Sequence, residues 1–211
     1  MHDSAPQAPI AAPPKPPSRA RAMVAFGVFI ILAAGVVAYW QHHHGYHFAV
    51  VQENVLYRDG FKSEAQFSTT LENVRPHTVV SLIDAKELAD PTKSRFTQEE
   101  EMCSSRKIEL DRIPVTLGGW PTSDDIQKFL KIVTDEKNQP VLVHCAQGVR
   151  RTGFFVAAYQ ESVMGYDKAK AEDSILNFGH SETTIEQIRR FIEGYDPKAQ
   201  TVSADLGKGA E

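Results

Sequence analysis

Between Pro140 and Tyr159 the sequence allows few folds. Pro140-Val141-Leu142-Val143 is a short, apolar, β-branched run that reads as a buried strand, and Gly153 to Tyr159 reads as a helix. The nine residues from His144 to Thr152, His-Cys-Ala-Gln-Gly-Val-Arg-Arg-Thr, then form a tight loop leading from a strand into a helix N-terminus. Backbone N–H groups at a helix start lack intrahelical partners, and the helix dipole adds partial positive charge there, so the arrangement makes an anion site. A phosphate group fits it.

Cys145 opens this loop and Arg151 closes it, with five residues between. Loop amides, the helix end and a guanidinium all favour an anion at Cys145. Its thiolate is therefore stabilised, with a pKa expected in the range of about 3.5 to 7.5 found for activated cysteines, and a thiolate is a nucleophile at neutral pH. Arg151 offers a planar fork for two phosphoryl oxygens and stays charged as negative charge grows, which lysine would not replace well. Gly148 is free to take the positive φ that lets successive N–H groups converge, and Thr152 can donate its hydroxyl to the sulfur. The expected phosphate cradle is Ala146, Gln147, Gly148, Val149, Arg150 and Arg151, with Cys145, Arg151 and Thr152 catalytic. His144 is expected to fix the loop by hydrogen bonding to its backbone.

At these residues the chain resembles the cysteine-dependent protein tyrosine and dual-specificity phosphatases, whose signature is His-Cys-x5-Arg-Ser/Thr. His144, Cys145, Arg151 and Thr152 meet it in full, with Gly148 and Gly153 where that family places glycines. A buried core cysteine after a strand is the ordinary alternative, and Arg151, the two glycines and the strand-loop-helix setting speak against it. The resemblance implies hydrolysis of phosphate monoesters through a phosphocysteine, on phosphotyrosine, phosphoserine or phosphothreonine proteins, with no cofactor or metal.

The 211 residues, 42% hydrophobic, suffice for one ordinary domain and appendages. Residues 1–22 hold Ala-Pro and Pro-Pro-Lys-Pro-Pro stretches that read as a disordered tail carrying Lys15, Arg19 and Arg21. Met23 to Trp40 is 18 residues without a charge; as a helix it is about 27 Å long, close to the hydrocarbon thickness of a bilayer. Tyr39 and Trp40 sit where an interfacial aromatic anchor would. A cleaved signal peptide would want a shorter run and a better small-x-small site than Val36-Val37-Ala38. A transmembrane helix is expected, and the bases preceding it place the N-terminus in the cytoplasm and the rest of the chain outside, on the periplasmic or extracellular side. The expected type is thus a membrane-anchored bacterial one. Residues 41–47, with His42, His43, His44 and His47, read as a solvated linker, because no cysteine or carboxylate cluster with ligand spacing accompanies them.

The phosphatase domain is expected over residues 48–195, followed by a disordered tail at 196–211. Asn54–Arg58, His77–Asp84, Lys107–Val115 and the run before Cys145 read as strands. Ser63–Leu71, Thr97–Ser105, Asp124–Asp135 capped by Ser123, Thr152–Met164, Asp167–Phe178 and Thr183–Phe191 read as helices. Alternating strands and helices indicate an α/β three-layer-like sandwich, a central mostly parallel sheet flanked by helices, with the Cys145 loop at the carboxyl end of a central strand. The resemblance implies the same architecture.

Charge limits the partners. The chain has 23 Lys and Arg against 27 Asp and Glu; without Lys15, Arg19, Arg21 and Asp3, residues 41–211 hold 20 against 26, a net of −6. Such a domain is a poor nucleic-acid binder. A leaving ester oxygen wants a proton, and relatives supply it from an Asp on the loop leaving the preceding strand. Here that loop, Thr116 to Thr122, contains no carboxylate: Trp120-Pro121 is similar to the family's Trp-Pro-Asp but continues with Thr122. Asp124 is the nearest candidate acid, with Asp125 and Asp111 as alternatives. The alternative for Asp124 is plain charge complementarity at a helix N-terminus. Atypical relatives from plants and fungi act on inositol pyrophosphates, whose leaving group needs less protonation. They resemble Asn138 to Cys145, although their Lys-His before the loop arginine is Val149-Arg150 here. A non-catalytic phosphate-binding role is the third reading. Cys103, the other cysteine, either packs under the sheet or forms a disulfide with Cys145.

Overall fold

The computed structural model describes residues 23, 26–33, 47–176, 178, 181–203 and 206. The chain divides into two units, 1–41 and 42–211. In the first, residues 26–33 are helical, with Phe26, Phe29, Ile31 and Leu32 exposed. The rest of the expected span to Trp40, the tail 1–22 and His42 to His44 lie outside the described residues. Among the described residues no helix is long and apolar enough to cross a membrane.

The second unit is an α/β sandwich. Strands β1 (Ala49–Gln52), β2 (Leu56–Gly60), β3 (Thr78–Ser81), β4 (Glu109–Arg112) and β5 (Val141–Cys145) form one sheet in the order β1-β2-β5-β3-β4. Only β1 runs antiparallel to its neighbour; β2, β5, β3 and β4 pair in parallel. β5 is therefore central and buried on both faces, which is why its sequence is a continuous apolar run. Its side chains alternate: Val141 and Val143 join one core, Leu142 the other.

The first core packs under α4 (Ser123–Thr134), α5 (Arg150–Ser162), α6 (Lys168–Leu176) and α7 (Glu182–Gly194), the second under α1 (Glu64–Val74) and α3 (Glu99–Ser104). Cys103 packs in the second core, and both cysteines are free thiols. Burial, with the Glu99 charge, pushes the Cys103 thiol up to about 12. It is therefore inert as a nucleophile. Gly153 lets α7 approach α5, since a Cβ there would meet Ile188 Cδ1 at 2.9 Å.

Some boundaries differ from the sequence reading for local reasons. α1 opens on Ser63 as expected. The cap of α4 is Thr122, in a reciprocal box with Asp125, while Ser123 Oγ accepts the Val202 N–H at 2.9 Å. α5 starts at Arg150, two residues earlier than expected, and its cap Val149 makes no side-chain hydrogen bond. A short helix α2 (Ala85–Ala89) and a 3-10 turn (Pro91–Phe96) follow β3, where the sequence reading has no element. Beyond Tyr195, where a disordered tail is expected, β6 (Tyr195–Asp196) pairs antiparallel with β7 (Thr201–Val202). Tyr195 is buried against Phe191 and hydrogen bonds Ser162, which anchors that hairpin.

Asp59 on β2 is fully buried, and burial pushes its carboxyl up to about 7 despite hydrogen bonds from the Gly60 N–H at 2.8 Å and Gln66 Nε2 at 3.0 Å. The folded state thus holds this proton more tightly than the unfolded chain, whose aspartates titrate near about 3.9. The stability it contributes is fully present below that value and lost as pH rises towards about 7. Asp59→Asn is expected to flatten this part of the stability profile, measured by urea denaturation from pH 4 to 8; an unchanged profile would show that Asp59 titrates normally.

Candidate active site

Cys145 is the last residue of β5. Its carbonyl accepts the Phe61 N–H at 3.0 Å, and the preceding His144 carbonyl accepts the Leu82 N–H at 2.9 Å, so the strand end is held from both neighbours. The loop then turns at Gly148, φ +70°, where an added Cβ would lie 2.4 Å from the Asp59 carbonyl oxygen. Only glycine fits that approach. The Gly148 N–H donates to Cys145 Sγ at 3.2 Å.

Burial alone would raise the Cys145 thiol. The Arg151 charge, the Thr152 hydroxyl and N–H and the Gly148 N–H outweigh it, and the pKa lies below the ordinary cysteine value. Thr152 Oγ1 is buried without a conventional hydrogen-bond partner, which leaves it to act on the sulfur. The structure thus brings Cys145, Thr152 and Arg151 together.

Arg151 is held by groups the sequence reading did not find. Its Nη2 donates to Glu87 Oε1 at 3.0 Å, its Nη1 to Glu87 Oε2, and Nη1 also reaches the Leu82 and Val115 carbonyls, each at 3.1 Å. Of five N–H donors, these contacts use one edge of the guanidinium and leave Nε–H and the second Nη2–H for a ligand. Glu87 belongs to a capping box in which Asp84 caps α2, and Asp84 Oδ2 also accepts the Leu117 N–H at 3.0 Å. The spacing Asp84-x-x-Glu87 is a helix-start signature that was legible in the sequence.

His144 departs from its expected role. Its side chain points to the other face of the sheet, where Nε2 meets Glu99 Oε1 at 2.5 Å, and it makes no hydrogen bond to the loop backbone. Burial opposes its protonation, but the Glu99 carboxylate and the charges of Cys145 and Asp59 hold it protonated more strongly than an ordinary histidine. Glu99 is also bonded by Ser81 and Arg112. The position before Cys145 therefore places a cation behind the thiolate.

Cys145, Ala146, Gln147, Arg150 and Arg151 line one cavity of about 480 Å³. Lys62, Lys93 and Arg95 also line it, so the mouth is strongly basic although the protein carries −4 overall. Arg150, predicted as a phosphate ligand, also turns towards the loop beyond β4: Nη1 donates to the Gly118 carbonyl at 3.1 Å and Nη2 to that of Gly119 at 2.9 Å. Gly148 and Val149, also predicted as phosphate ligands, do not line the cavity, though the Gly148 N–H reaches Cys145 Sγ. Asp124 is exposed on the first turn of α4, Asp125 is engaged with Thr122, and Asp111 lies 4.0 Å from Lys128; none of the three lines the cavity. Among the described residues lining it, Glu87 is the one carboxylate. His47, expected in a solvated linker, instead donates from Nδ1 to the Gln147 carbonyl at 2.6 Å.

A parallel sheet ending in a buried cysteine, an amide loop and an arginine at the next helix start defines the cysteine-dependent phosphatase class of fold. The chain belongs to the family described as DSP-PTPase phosphatase fused to NAD+ kinase, whose model matches residues 45–193. It is 35% identical over 114 residues to the dual specificity protein phosphatase OPG106 of vaccinia virus, covering 51% of this chain and 62% of that protein. It is 27% identical over 142 residues to TpbA of Pseudomonas aeruginosa, covering 67% of this chain and 59% of that one. The match to a probable chloroplastic NAD kinase 2 of rice is 30% over 77 residues, 36% of this chain and 8% of that protein. The chain thus spans less than two thirds of the length of each of these relatives. Among solved structures, the Siw14 catalytic core from S. cerevisiae superposes with a TM-score of 0.62 at 22% identity, over 74% of this chain and 88% of that one. TpbA superposes at 0.57 with 24% identity, over 73% and 88%. These show the fold.

Proposed function

We propose that this chain hydrolyses phosphate monoesters through a phosphocysteine intermediate. The carrying observation is the buried Cys145 thiol with its pKa lowered, facing an arginine whose free edge is fixed by Glu87. The thiolate attacks phosphorus, an S–P bond forms, and the P–O bond breaks with its electron pair leaving on the ester oxygen. Water then attacks phosphorus, the S–P bond breaks, and inorganic phosphate leaves with the thiolate restored. Arg151 and the loop amides bind the equatorial oxygens throughout, and Thr152 stabilises sulfur as leaving group. Because Cys145, Arg151 and Thr152 are all in place, a non-catalytic phosphate-binding role is disfavoured.

The substrates we propose are phosphorylated proteins, with phosphotyrosine ahead of phosphoserine and phosphothreonine. A phenolate, with a pKa near about 10, leaves unassisted more readily than an alkoxide. For Asp124 to act as the acid, the first turn of α4 must move over the cavity against the hold of Arg150 on Gly118 and Gly119. P. aeruginosa TpbA has been crystallised with pTyr. A second reading, an inositol pyrophosphate or another polyphosphorylated small molecule, is supported by the cations around the cavity; Siw14 is described as a PP-IP phosphatase.

We also place the chain in a membrane through Met23 to Trp40, as a single-pass protein of bacterial type with its N-terminus cytoplasmic and residues 48–195 outside. The support is the uncharged 18-residue run and the bases preceding it. Protease added to spheroplasts, with any outer membrane removed and the inner membrane intact, should cut the domain; protection there, with cutting after lysis, would overturn the orientation.

Phosphate release from phosphotyrosine, phosphoserine and inositol pyrophosphate substrates tests the reading. For a phosphotyrosine peptide with acidic flanks, Lys93→Glu/Arg95→Glu is expected to lower kcat/KM by about tenfold or more, with a smaller loss for p-nitrophenyl phosphate. No release from any of these substrates by the wild type would remove the proposed activity.

A further inference from the structure

The anion cradle depends on which way its peptide groups face. In a trans peptide the C=O and the following N–H point in opposite directions, so a donor that holds a loop carbonyl from outside turns the next N–H inward. His47 Nδ1 holds the Gln147 carbonyl at 2.6 Å, and the N–H of that same peptide, on Gly148, donates to Cys145 Sγ. Arg58 Nη2 holds the Gly148 carbonyl at 2.6 Å, which turns the Val149 N–H away from Arg58. Arg58 does not line the Cys145 cavity; it lies behind the loop with Val156, Gln160 and Phe178, whose ring sits 3.7 Å from its guanidinium carbon.

Resting on the phosphatase reading above, we propose that Arg58 and His47 are positioning residues that hold the Gly148 and Gln147 carbonyls outward and so fix the loop amides on the phosphate. Neither residue touches the substrate. Stability is a poor explanation for Arg58. It is 1% exposed, and among the described residues its Nε and Nη1 have no hydrogen-bond partner and no carboxylate pairs with it. Burying a cation with so few polar partners is unfavourable in a way that an apolar side chain of like volume would not be. What it does gain is the Gly148 carbonyl and proximity to the thiolate: burial depresses its pKa to about 10, and the Cys145 charge is the opposing influence. The coupling is reciprocal, so the Arg58 charge favours the thiolate.

The test uses the full chain with Arg58→Gln, Arg58→Lys and His47→Ala. The readouts are kcat/KM on p-nitrophenyl phosphate, inhibition by inorganic phosphate, and the pH midpoint of Cys145 alkylation by iodoacetamide, followed by peptide mass spectrometry. Arg58→Gln is expected to weaken phosphate inhibition about tenfold, as for loss of a hydrogen bond from a charged group, and to raise the alkylation midpoint by about one unit. Arg58→Lys should recover part of both. His47→Ala removes an exposed contact, so it should keep the wild-type melting temperature while weakening phosphate inhibition about threefold or more; it carries the test if Arg58→Gln does not fold. Wild-type phosphate inhibition in either folded variant overturns the proposal. Loss of phosphate inhibition with p-nitrophenyl phosphate turnover still measurable supports it. Absence of turnover in the wild type would instead count against the phosphatase reading, while phosphate binding and alkylation still report on the cradle.

Discussion

Cys145→Ser is expected to lower turnover of p-nitrophenyl phosphate by about 10⁴-fold or more, the scale on which loss of an essential nucleophile is felt. Inorganic phosphate should bind as well as before or more tightly. The first half follows from acidity: the Arg151 charge and the hydrogen bonds that favour a thiolate cannot bring an aliphatic hydroxyl into a titratable range. The second half follows from what the substitution leaves alone. The Arg58 and His47 contacts and the Arg151 edge do not involve sulfur, the Gly148 N–H that donates to Cys145 Sγ can donate to a serine hydroxyl in its place, and removing a thiolate removes its repulsion for a dianion. Isothermal titration with phosphate against a p-nitrophenyl phosphate assay gives both numbers. Turnover within tenfold of wild type would remove the covalent mechanism. Phosphate affinity reduced by more than about tenfold would mean that the sulfur itself holds the loop open.

How much of this was legible in the sequence depends on how local the cause is. The strand, loop and helix around Cys145 were legible because buried β-branched residues, glycine and a helix start each leave a mark at their own position. The caps at Ser63 and Asp84 are local too, and the Asp84-x-x-Glu87 box marks the start of α2 in the sequence itself. The choice of Thr122 over the adjacent Ser123 as cap is not local, because Val202, some eighty residues away, takes Ser123 Oγ. Glu87, Arg58 and His47 share that property. Each meets the Cys145 loop or the Arg151 that closes it only because strand pairing, antiparallel for β1 and parallel for the rest, brings distant segments to one end of the sheet, and a single sequence carries no sign of such pairings. His144 was read as a loop buttress from its neighbour in the chain, but strand alternation sends its side chain to the opposite face, where Glu99 waits. The hairpin after Tyr195 was read as a tail because its strands are two residues each, below what periodicity can register.

Glu87→Gln separates the positioning of Arg151 from the activation of Cys145. Glu87 and Arg151 are both buried, and two guanidinium nitrogens rest on the two carboxylate oxygens. Burial works against the Arg151 charge, while the Glu87 hydrogen bond, the Cys145 charge and the Glu87 charge hold it firmly cationic. Neutralising Glu87 leaves that cation without its paired edge, and breaking one side of a buried pair costs about 3 to 5 kcal/mol. For a domain of this size that corresponds to a melting temperature lower by about 6 to 20 °C. The guanidinium stays tethered by Nη1 to the Leu82 and Val115 carbonyls beside Cys145 but can rotate about them, so its ligand edge is no longer aimed where charge develops. A loss of about 10² to 10³ in kcat is expected, the cost of one misplaced oxyanion donor. The thiol should behave otherwise. Removing a negative charge from the far side of Arg151 leaves the guanidinium's field at Cys145 undiminished, so the pH midpoint of alkylation should stay or fall, never rise. Glu87→Asp, which keeps the charge on a shorter stem, should recover most of the stability and less of the rate. If the folded Glu87→Gln protein turns over within threefold of wild type, Arg151 needs no buttress; if its alkylation midpoint rises with the loss of rate, Glu87 acts on the nucleophile and not through the arginine.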